Sequence, residues 1–436
     1  MNPTAHSAST KAAILAGVAL AVLMPLWMLG GLVSDRVVQR DQAVEEVAHG
    51  WGDRQTVGGP IIAIPVTTDA DRDHPYDWYV LPDSLDLTVD LGVEEAPRTV
   101  GGYAVPVYVA KIRAQGKFDL TREVERLNRG GPAVHVHADQ ARLLLPIRDP
   151  RGLRDLVSAT PEFQSFEPVS GFPIPALAAP LSNTAGTADG SHGFDLTFHI
   201  AGTQSLQFLP LARTVHVHAK GNWPDPGFTD GFLPSDRQVD ATGFTADWQV
   251  LDLNRSFGDR WFQDSINVAT LLASGFGVEL VQPVDIYQRT MRAVKYGGLF
   301  IALSFLTLFL VESLQRSPIH PVQYGLMGLA LAVFYLLLLA LSEHLGFLGA
   351  YATAAGALCL LMTAYLAGAL RSVRAGGAAG AIFAGTYALL YLLVTSEAYA
   401  LLTGAIALFG MLATVMLLTR RLNWYEVGRD RTSDSL

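Results

Sequence analysis

The sequence predicts a membrane protein with an N-terminal signal-anchor helix, a β-rich, sandwich-like domain outside the membrane, and a C-terminal bundle of five transmembrane helices. Three observations support this fold class. Only 16% of the 436 residues are charged, against about 25% in soluble chains. Of the 71 Asp, Glu, Lys and Arg residues, 57 lie between Ser34 and Lys295. Long apolar runs flank this charged block on both sides.

The first apolar run, Ala12–Val33, has 22 residues and exceeds the length needed to cross about 30 Å of hydrocarbon. A cleaved signal peptide would have a shorter apolar core of about 7–15 residues and a cleavage site after it. Here the run continues into a charged helical pattern, "SDRVVQRDQAVEEVAHGW". The sequence therefore favours an uncleaved anchor, with residues 1–33 forming a short tip and the first span.

The middle block, residues 34–295, alternates apolar and polar residues in many short segments. Examples are "DSLDLTVDLGV", "FDLTFHIAG" and "LARTVHVHAKGNW", separated by turn-forming residues, which is typical of β-strands. The stretch 160–193 is rich in Pro, Gly and Ser and is predicted to be a long loop. The block carries 34 acidic and 23 basic residues, a net charge of −11. This charge argues against nucleic acid or an anionic lipid surface as its partner.

Five further apolar runs after Lys295 are each long enough to span a bilayer. Short connectors between them predict antiparallel hairpins. Residues 296–419 thus form the predicted bundle, and residues 420–436 a tail. The runs are Tyr296–Leu314, Val322–Leu341, Leu345–Leu370, Ala378–Thr395 and Tyr399–Leu418.

Basic residues occur on alternate sides of these six spans, and the connectors after the third and fifth spans have none. Lys and Arg accumulate on the cytoplasmic side of membrane proteins. We therefore expect both termini in the cytoplasm and residues 34–295 outside. The basic residues that define this pattern are Lys11, Arg316, Arg371, Arg374, Arg420, Arg421, Arg429 and Arg431.

Four ionisable residues lie near the ends of the predicted spans: Glu312, Glu343, His344 and Glu397. Such residues are costly in lipid and often functional, although the cost falls near the membrane surface. The favoured interpretation of "SEH" at 342–344 is a hydrated outer turn of a helical hairpin. The alternative is a proton- or cation-sensitive cluster of Glu343, His344 and Glu397, in which His344 titrates near neutral pH.

Arg292 and Lys295 lie where the middle block re-enters the membrane. They are interpreted mainly as side chains that extend to the membrane surface beside Tyr296. The alternative is a junction that contacts lipid headgroups or docks the acidic domain.

The tripeptide "HVH" occurs twice, at His135–His137 and His216–His218. Residues i and i+2 of a strand share a face, so each pair could present two imidazoles to a metal. A polar strand face alternating with core Val is the favoured reading, and no metal or cofactor is predicted. The single cysteine, Cys359, leaves no intramolecular disulfide and no thiol-based zinc site.

The stretch 223–234, "WPDPGFTDGFLP", mixes aromatic, Pro and acidic residues. It could form a ligand-binding loop, but a rigid turn closing one end of a β core is favoured. The sequence contains no Gly-x-Ser-x-Gly, no His-Glu-x-x-His and no phosphate-binding loop. No catalytic residue is therefore predicted.

The segments "MRAVKYGGLFIALSFLTLFLVE" and "HPVQYGLMGLALAVFYLLLLALSEHLGFLGAYATAA" resemble the CreD family of bacterial inner-membrane proteins. "WGDRQTVGGPIIAIPV", "GTQSLQFLPLARTVHVHAKGNWPDPGF", "GFTADWQVLDLNR" and "RRLNWYEV" are similar as well. The resemblance covers essentially the whole chain. It implies a protein of the Gram-negative inner membrane, linked to envelope integrity and to tolerance of colicins and β-lactams, under two-component control. It supplies no catalytic residues.

The expected function is non-enzymatic: maintenance of the cell envelope or response to envelope stress. The periplasmic domain would bind an envelope protein or a cell-wall ligand, and the bundle would contact the lipid bilayer. The alternative is a transporter- or channel-like component that uses the acidic residues of the bundle. An enzyme is the least favoured class, because no arrangement of acid, base and nucleophile is visible.

Overall fold

A computed structural model describes residues 8–69, 71–129, 134–158, 160, 165–181, 191–281, 286–315 and 320–396, with a few single positions between 402 and 416. The polypeptide divides into two units, which we call the membrane unit (residues 1–39 and 284–436) and the β unit (residues 40–283). The helices are α1 Ala8–Trp51, α2 Leu120–Arg129, α3 Val268–Ala273, α4 Ile286–Gln315, α5 Pro321–Ala369 and α6 Val373–Thr395.

The β unit consists mainly of short strands, in agreement with the alternating pattern of its sequence. Short 3₁₀ helices occur at Ala138–Gln140, Pro150–Gly152 and Asp252–Asn254. The described strands are β1 Gln55–Gly58, β2 Ile61–Thr68, β3 Asp71–Val80, β4 Ser84–Val93, β5 Arg98–Val100, β6 Tyr103–Val105, β7 Val107–Asp119, β8 Val134–Val136, β9 Arg142–Pro146, β10 Leu153–Ser158, β11 Glu167–Val169, β12 Ala176–Pro180, β13 Ser191–Thr203, β14 Ser205–Leu209, β15 Thr214–Gly221, β16 Pro226–Asp230, β17 Asp236–Asp240, β18 Gly243–Leu251, β19 Arg260–Phe262 and β20 Phe276–Leu280.

Two large sheets form the body of the β unit. The sheet we call the open sheet has the order β10-β13-β7-β4-β15-β18-β17. The sheet we call the central sheet has the order β11-β12-β9-β2-β3-β19, with β8 also paired to β2. Side chains from both sheets, such as Leu87 and Ile62, belong to one buried cluster. The two sheets therefore pack face to face, as in a β-sandwich.

The central sheet is buried on both faces. On β2, Ile62 and Ile64 join the cluster shared with the open sheet, whereas Ile61 and Ala63 join a second cluster that includes Trp261. These four residues of β2 are each 0% exposed. Burial on both faces explains the unbroken apolar run "IIAIPV", because neither face needs polar residues. Each fully buried Ile stabilises the fold by about 1.5–3 kcal/mol.

Part of the predicted loop at 160–193 is β-structure instead. Within it, β11 pairs with β12, and β12 pairs with β9 in the central sheet. Residues Ala176–Ala179 of β12 are buried. The prediction was wrong here because Pro and Gly dominate the composition, while the short run "ALAAP" has small apolar side chains that fit a covered sheet.

The stretch 223–234 contains an edge strand. Its strand β16 pairs with β20 in a four-stranded sheet of order β1-β14-β20-β16. The Phe228 ring lies 5.9 Å from that of Trp248, and the Phe232 ring 5.8 Å from that of Phe276. The aromatic residues thus pack on the core, as the structural interpretation expected, although Phe228 lies on a strand rather than on a rigid turn.

In the membrane unit, α5 is a helical hairpin. Phe334 and Tyr351 would lie about 25 Å apart along a straight helix, yet their ring centroids are 5.6 Å apart. The break occurs at Gly346, whose φ of 67° and ψ of 170° are not helical. This region of backbone space is essentially restricted to Gly. The reversal therefore lies just beyond the predicted turn, and Ser342, Glu343 and His344 are still helical.

Among the described residues, three helical stretches are long and apolar enough to cross a membrane: Leu20–Trp51, Val322–Ala369 and Val373–Thr395. Because α5 reverses at Gly346, each of its two arms has more than the roughly 20 residues that a span requires. Helix α4 begins at Ile286, ten residues before the predicted span at Tyr296. The difference arises because "IYQRTMRAVK" is a polar helical start that hydropathy alone does not detect.

Candidate functional site

The open sheet has one apolar face and one polar face. On β15, Val215 and Val217 are buried, whereas His216 and His218 are exposed. The polar face carries cross-strand ion pairs, which stabilise a solvated sheet surface modestly. Lys220 lies 2.9 Å from Asp90 on β4. The sheet is thus packed on one side and free to meet a polar partner on the other.

A polar cleft of about 500 Å³ lies where four neighbouring strands of the open sheet end or begin. The strands are β4, β15, β18 and β17, and their register places Lys220 between Asp90 and Thr245. The cleft is lined by Asp90, Leu91, Gly92, Lys220, Gly221, Asn222, Gln238, Asp240, Thr242, Gly243, Phe244 and Thr245. We call this site the polar cleft.

Two side chains fix the shape of the polar cleft. The Asn222 amide accepts a hydrogen bond from the Val93 N–H at 2.7 Å and donates one to the Val93 carbonyl at 2.9 Å. The Asp240 carboxylate accepts hydrogen bonds from the hydroxyl and backbone N–H of Thr242, at 2.6 and 2.7 Å. These two donors lower the pKa of Asp240 below its usual value and hold the turn between β17 and β18.

The polar cleft therefore presents amide, hydroxyl, carboxylate and ammonium groups together with apolar surface from residues such as Leu91 and Phe244. Because Lys220 is neutralised by Asp90 and Asp240 stays ionised, the lining has no net positive charge to attract a polyanion. Mixed donors and acceptors of this kind suit a neutral or zwitterionic polar ligand, such as a saccharide or a peptide.

The two histidine pairs lie in different sheets. His135 is on β8 of the central sheet, where its Nε2 lies 3.0 Å from Asp69, and the His137 ring contacts the Thr67 hydroxyl at 3.0 Å. On the open sheet, His218 lies 2.7 Å from Asp247. Within the described part of the chain, no group of three or more His, Cys, Asp or Glu residues has a geometry suited to a metal ion.

In the membrane unit, Glu343 joins three helical segments. Its carboxylate lies 3.5 Å from the Arg36 guanidinium on α1, and it accepts a hydrogen bond from the Tyr287 hydroxyl on α4 at 3.3 Å. Glu343 itself lies near the end of the first arm of α5. The side chains of Arg36 and Glu343 are 43% and 27% exposed. Exposure of this degree to water limits an ion pair to less than about 1 kcal/mol.

The predicted membrane cluster has three other residues, His344, Glu312 and Glu397. His344 is exposed, and adjacent helical residues do not face each other, so it does not share the face of Glu343. Glu312 lies on α4. Glu397 lies outside the described residues. The meeting of Glu343, His344 and Glu397 stays a prediction.

The predicted junction residues Arg292 and Lys295 both lie on α4, inside the helix rather than in a connecting loop. Arg292 is half-buried and Lys295 is exposed. A third basic residue on the same helix, Arg289, has its guanidinium 5.7 Å from the centre of the Phe347 ring. Sequence reasoning did not single out this residue, since the contact depends on the reversal at Gly346.

Sequence reasoning also missed the polar cleft. Its residues come from four segments spread over residues 90–245 and are of ordinary types for exposed strand ends. The only local signal was the hairpin "DATG" at 240–243, in which Asp, Thr and Gly are typical turn residues.

A β unit with an open polar face, in one chain with helices able to cross a bilayer, defines a membrane protein with a large domain outside the lipid. The family model described as "Inner membrane protein CreD" matches residues 7–425. A curated relative, "Inner membrane protein CreD" of Escherichia coli (strain K12), is 31% identical, over 95% of this chain and 93% of the relative. The chain belongs to the CreD family of inner membrane proteins.

Proposed function

We propose that this protein maintains the integrity of the bacterial cell envelope, or its response to stress, by binding an envelope protein or cell-wall ligand through the β unit. The observation that carries the proposal is the polar cleft at the edge of the open sheet. It is the kind of site that a polar envelope component would use, and it needs no cofactor.

The proposal includes a topology with six spans, both termini in the cytoplasm, and residues 34–295 in the periplasm. Membership of an inner-membrane family supports it. So does the alternation of basic residues along the sequence, which favours cytoplasmic placement of Arg371, between α5 and α6, and of Arg374, at the start of α6. A β unit with this orientation would meet the cell wall directly.

The ligand class follows from the charge of the β unit. Both the net charge of residues 34–295, −11, and the neutralised lysine of the cleft disfavour polyanions. Glycan strands and their short peptides offer hydroxyls, amides and zwitterionic groups, which pair with the side chains of Lys220, Gln238 and Thr242. Such a ligand would bind without catalysis, in keeping with the proposed non-enzymatic role.

The test uses a strain that lacks the chromosomal copy and shows an envelope phenotype. A photo-crosslinking residue replaces Gln238, which is exposed on β17 and lines the cleft. The matched control replaces Lys117, exposed on β7 of the same sheet and outside the cleft. We expect a crosslinked partner from position 238 and not from position 117. We also expect Lys220→Ala to impair rescue of the phenotype.

Equal crosslinking from both positions, together with full rescue by the cleft variants Lys220→Ala and Gln238→Ala, would contradict a role for the cleft. Protein amounts in the membrane are compared by immunoblot, so that loss of rescue is not confused with loss of the protein.

The second candidate is a transporter- or channel-like role of the bundle. The observation that favours it is the link of Glu343 to α1 and α4, because a titratable group that joins three segments can couple charge to helix position. The triple variant Glu343→Gln, His344→Gln, Glu397→Gln tests it. Loss of rescue at normal protein levels would support this role, whereas full rescue would remove its site.

A further inference from the structure

The membrane unit contains an open groove of about 500 Å³ between the second arm of α5 and α6. Its lining is almost wholly apolar and consists mainly of small and aromatic residues, with no carboxylate, amine or guanidinium group. We call it the apolar groove. The lining residues at its two ends are Leu348 and Leu392 at one end, and Cys359 and Ala384 at the other.

The dimensions of the apolar groove match one half of a bilayer. Leu348 and Cys359 are separated by about 16 Å along the helix axis, close to half of the roughly 30 Å hydrocarbon core. Three of its lining residues, Ala352, Ala355 and Gly356, are small and leave room for a linear chain. Tyr351 and Tyr391 also line the groove, and their rings contact each other with centroids 5.2 Å apart.

A cation lies beside one end of the apolar groove. The Phe347 ring contacts the rings of Tyr351 and Tyr391, with centroids 5.9 and 6.4 Å apart. The Arg289 guanidinium also lies over the Phe347 ring, 5.7 Å from its centre. Among the described residues, no carboxylate lies within ion-pair distance of Arg289, which is half-buried. An anionic group at this end of the groove would therefore meet a cation that no carboxylate of the described residues neutralises.

We infer that the apolar groove binds one acyl chain of an anionic phospholipid, whose phosphate contacts Arg289. The length of the apolar groove fits an acyl chain that ends near the bilayer midplane. The positive charge of Arg289 favours an anionic headgroup. The inference does not depend on the proposed envelope role or on the orientation in the membrane. It places the lipid in whichever leaflet contacts the Gly346 end of α5.

The test uses the full chain reconstituted into phosphatidylcholine vesicles with a trace of phosphatidylglycerol that carries a diazirine midway along one acyl chain. After illumination, the labelled peptides are mapped by mass spectrometry. We expect label on the groove peptides around Ala355 and Ala388, and we expect unlabelled phosphatidylglycerol to compete better than phosphatidylcholine.

Two groove variants and two matched controls sharpen the result. Ala352→Trp and Ala355→Trp each fill the groove and should abolish its labelling. Leu360→Trp should not, since Leu360 is 74% exposed on the same helix but outside the groove. Arg289→Gln should reduce the preference for phosphatidylglycerol about fivefold, which corresponds to about 1 kcal/mol per cation near a membrane surface. Lys295→Gln, an exposed cation on the same helix, should leave it unchanged.

Two results would overturn the inference. One is equal labelling of the groove and of exposed lipid-facing residues such as Leu360, which would mean bulk lipid contact only. The other is occupation of the groove by the protein's own sixth predicted span. Because Cys359 is the single cysteine, a disulfide formed efficiently between Cys359 and Ala405→Cys would reveal that occupant. No such disulfide is expected when phosphatidylglycerol fills the groove.

Discussion

Replacing Gly346 by Ala tests the helical hairpin of α5. At φ 67° and ψ 170°, a residue with a Cβ is strained by about 1–3 kcal/mol. No other atom lies within 4 Å of the position that the Cβ would take. The stability lost in Gly346→Ala is therefore due to backbone strain alone, with no contribution from steric overlap with a neighbour.

The matched control is Gly325→Ala on the first arm of the same helix. A Cβ at Gly325 also meets no atom within 4 Å, but this residue is helical. Ala is more favourable than Gly in a helix by about 0.8–1 kcal/mol. The two substitutions, identical in chemistry, should thus change the stability of the membrane unit in opposite directions, with a difference of about 2–4 kcal/mol.

The assay is thermal unfolding in detergent micelles with a thiol-reactive fluorophore. Cys359 is the single cysteine and is half-buried on the second arm of α5, so its reaction reports on the membrane unit alone. At about 2–4 °C per kcal/mol, Gly346→Ala should lower the midpoint by several degrees and Gly325→Ala should raise it slightly. A Gly346→Ala protein as stable as Gly325→Ala would mean that α5 runs straight, and the hairpin would be refuted.

Three further predictions concern single contacts. Tyr108→Phe removes the hydrogen bond from the buried phenol to the Ser205 carbonyl at 2.7 Å and should cost the β unit about 1 kcal/mol in urea unfolding. The hydrogen bond from Arg113 lowers the pKa of Asp195. The contribution of this ion pair to folding stability is present above pH about 4 and is lost as the pH falls through the lowered pKa of Asp195. Arg113→Gln should therefore make the loss of stability in acid less steep. Glu343→Gln keeps an acceptor for Tyr287 and should lower the fluorophore-detected midpoint by no more than about 4 °C.

Each of these predictions has a control and a contrary outcome. Thr88→Val, which removes an exposed hydroxyl on β4, should leave urea unfolding nearly unchanged, and equal losses for both variants would contradict the Tyr108 account. Lys117→Gln should leave the acid profile like that of the unmodified protein, and an unaltered profile for Arg113→Gln would exclude the Asp195 pair as its source. A midpoint drop above about 10 °C for Glu343→Gln would mean that the ion pair is effectively buried.

Regular patterns made much of the fold predictable. The alternation of β15 predicted which residues face the core, because one face of the open sheet is buried and the other solvated. The apolar runs predicted the end of α6, since Thr395 ends both the run and the helix, although the helix begins at Val373, five residues before the run. By contrast, "ALAAP" was assigned to a loop because its neighbours are Pro and Gly, and only pairing with β9 reveals it as a strand.

The sites were less predictable than the fold, for a physical reason. Glu343 was identified because an acid within an apolar run is conspicuous, but its partners Arg36 and Tyr287 are distant in sequence and depend on helix packing. The turn was placed at the polar triplet, whereas the backbone reverses at Gly346, where only a residue without a side chain is unstrained. The polar cleft and the apolar groove exist only where separate segments meet.

The most direct test of the proposed function is the location of the β unit. In a Cys359→Ser background, Ala241→Cys places a thiol at the exposed turn between β17 and β18. A control, Ser433→Cys, lies in the predicted cytoplasmic tail. A membrane-impermeant maleimide is added to spheroplasts with an intact inner membrane. The proposal predicts labelling of position 241 and not of position 433, whereas labelling of position 241 only after lysis would contradict it.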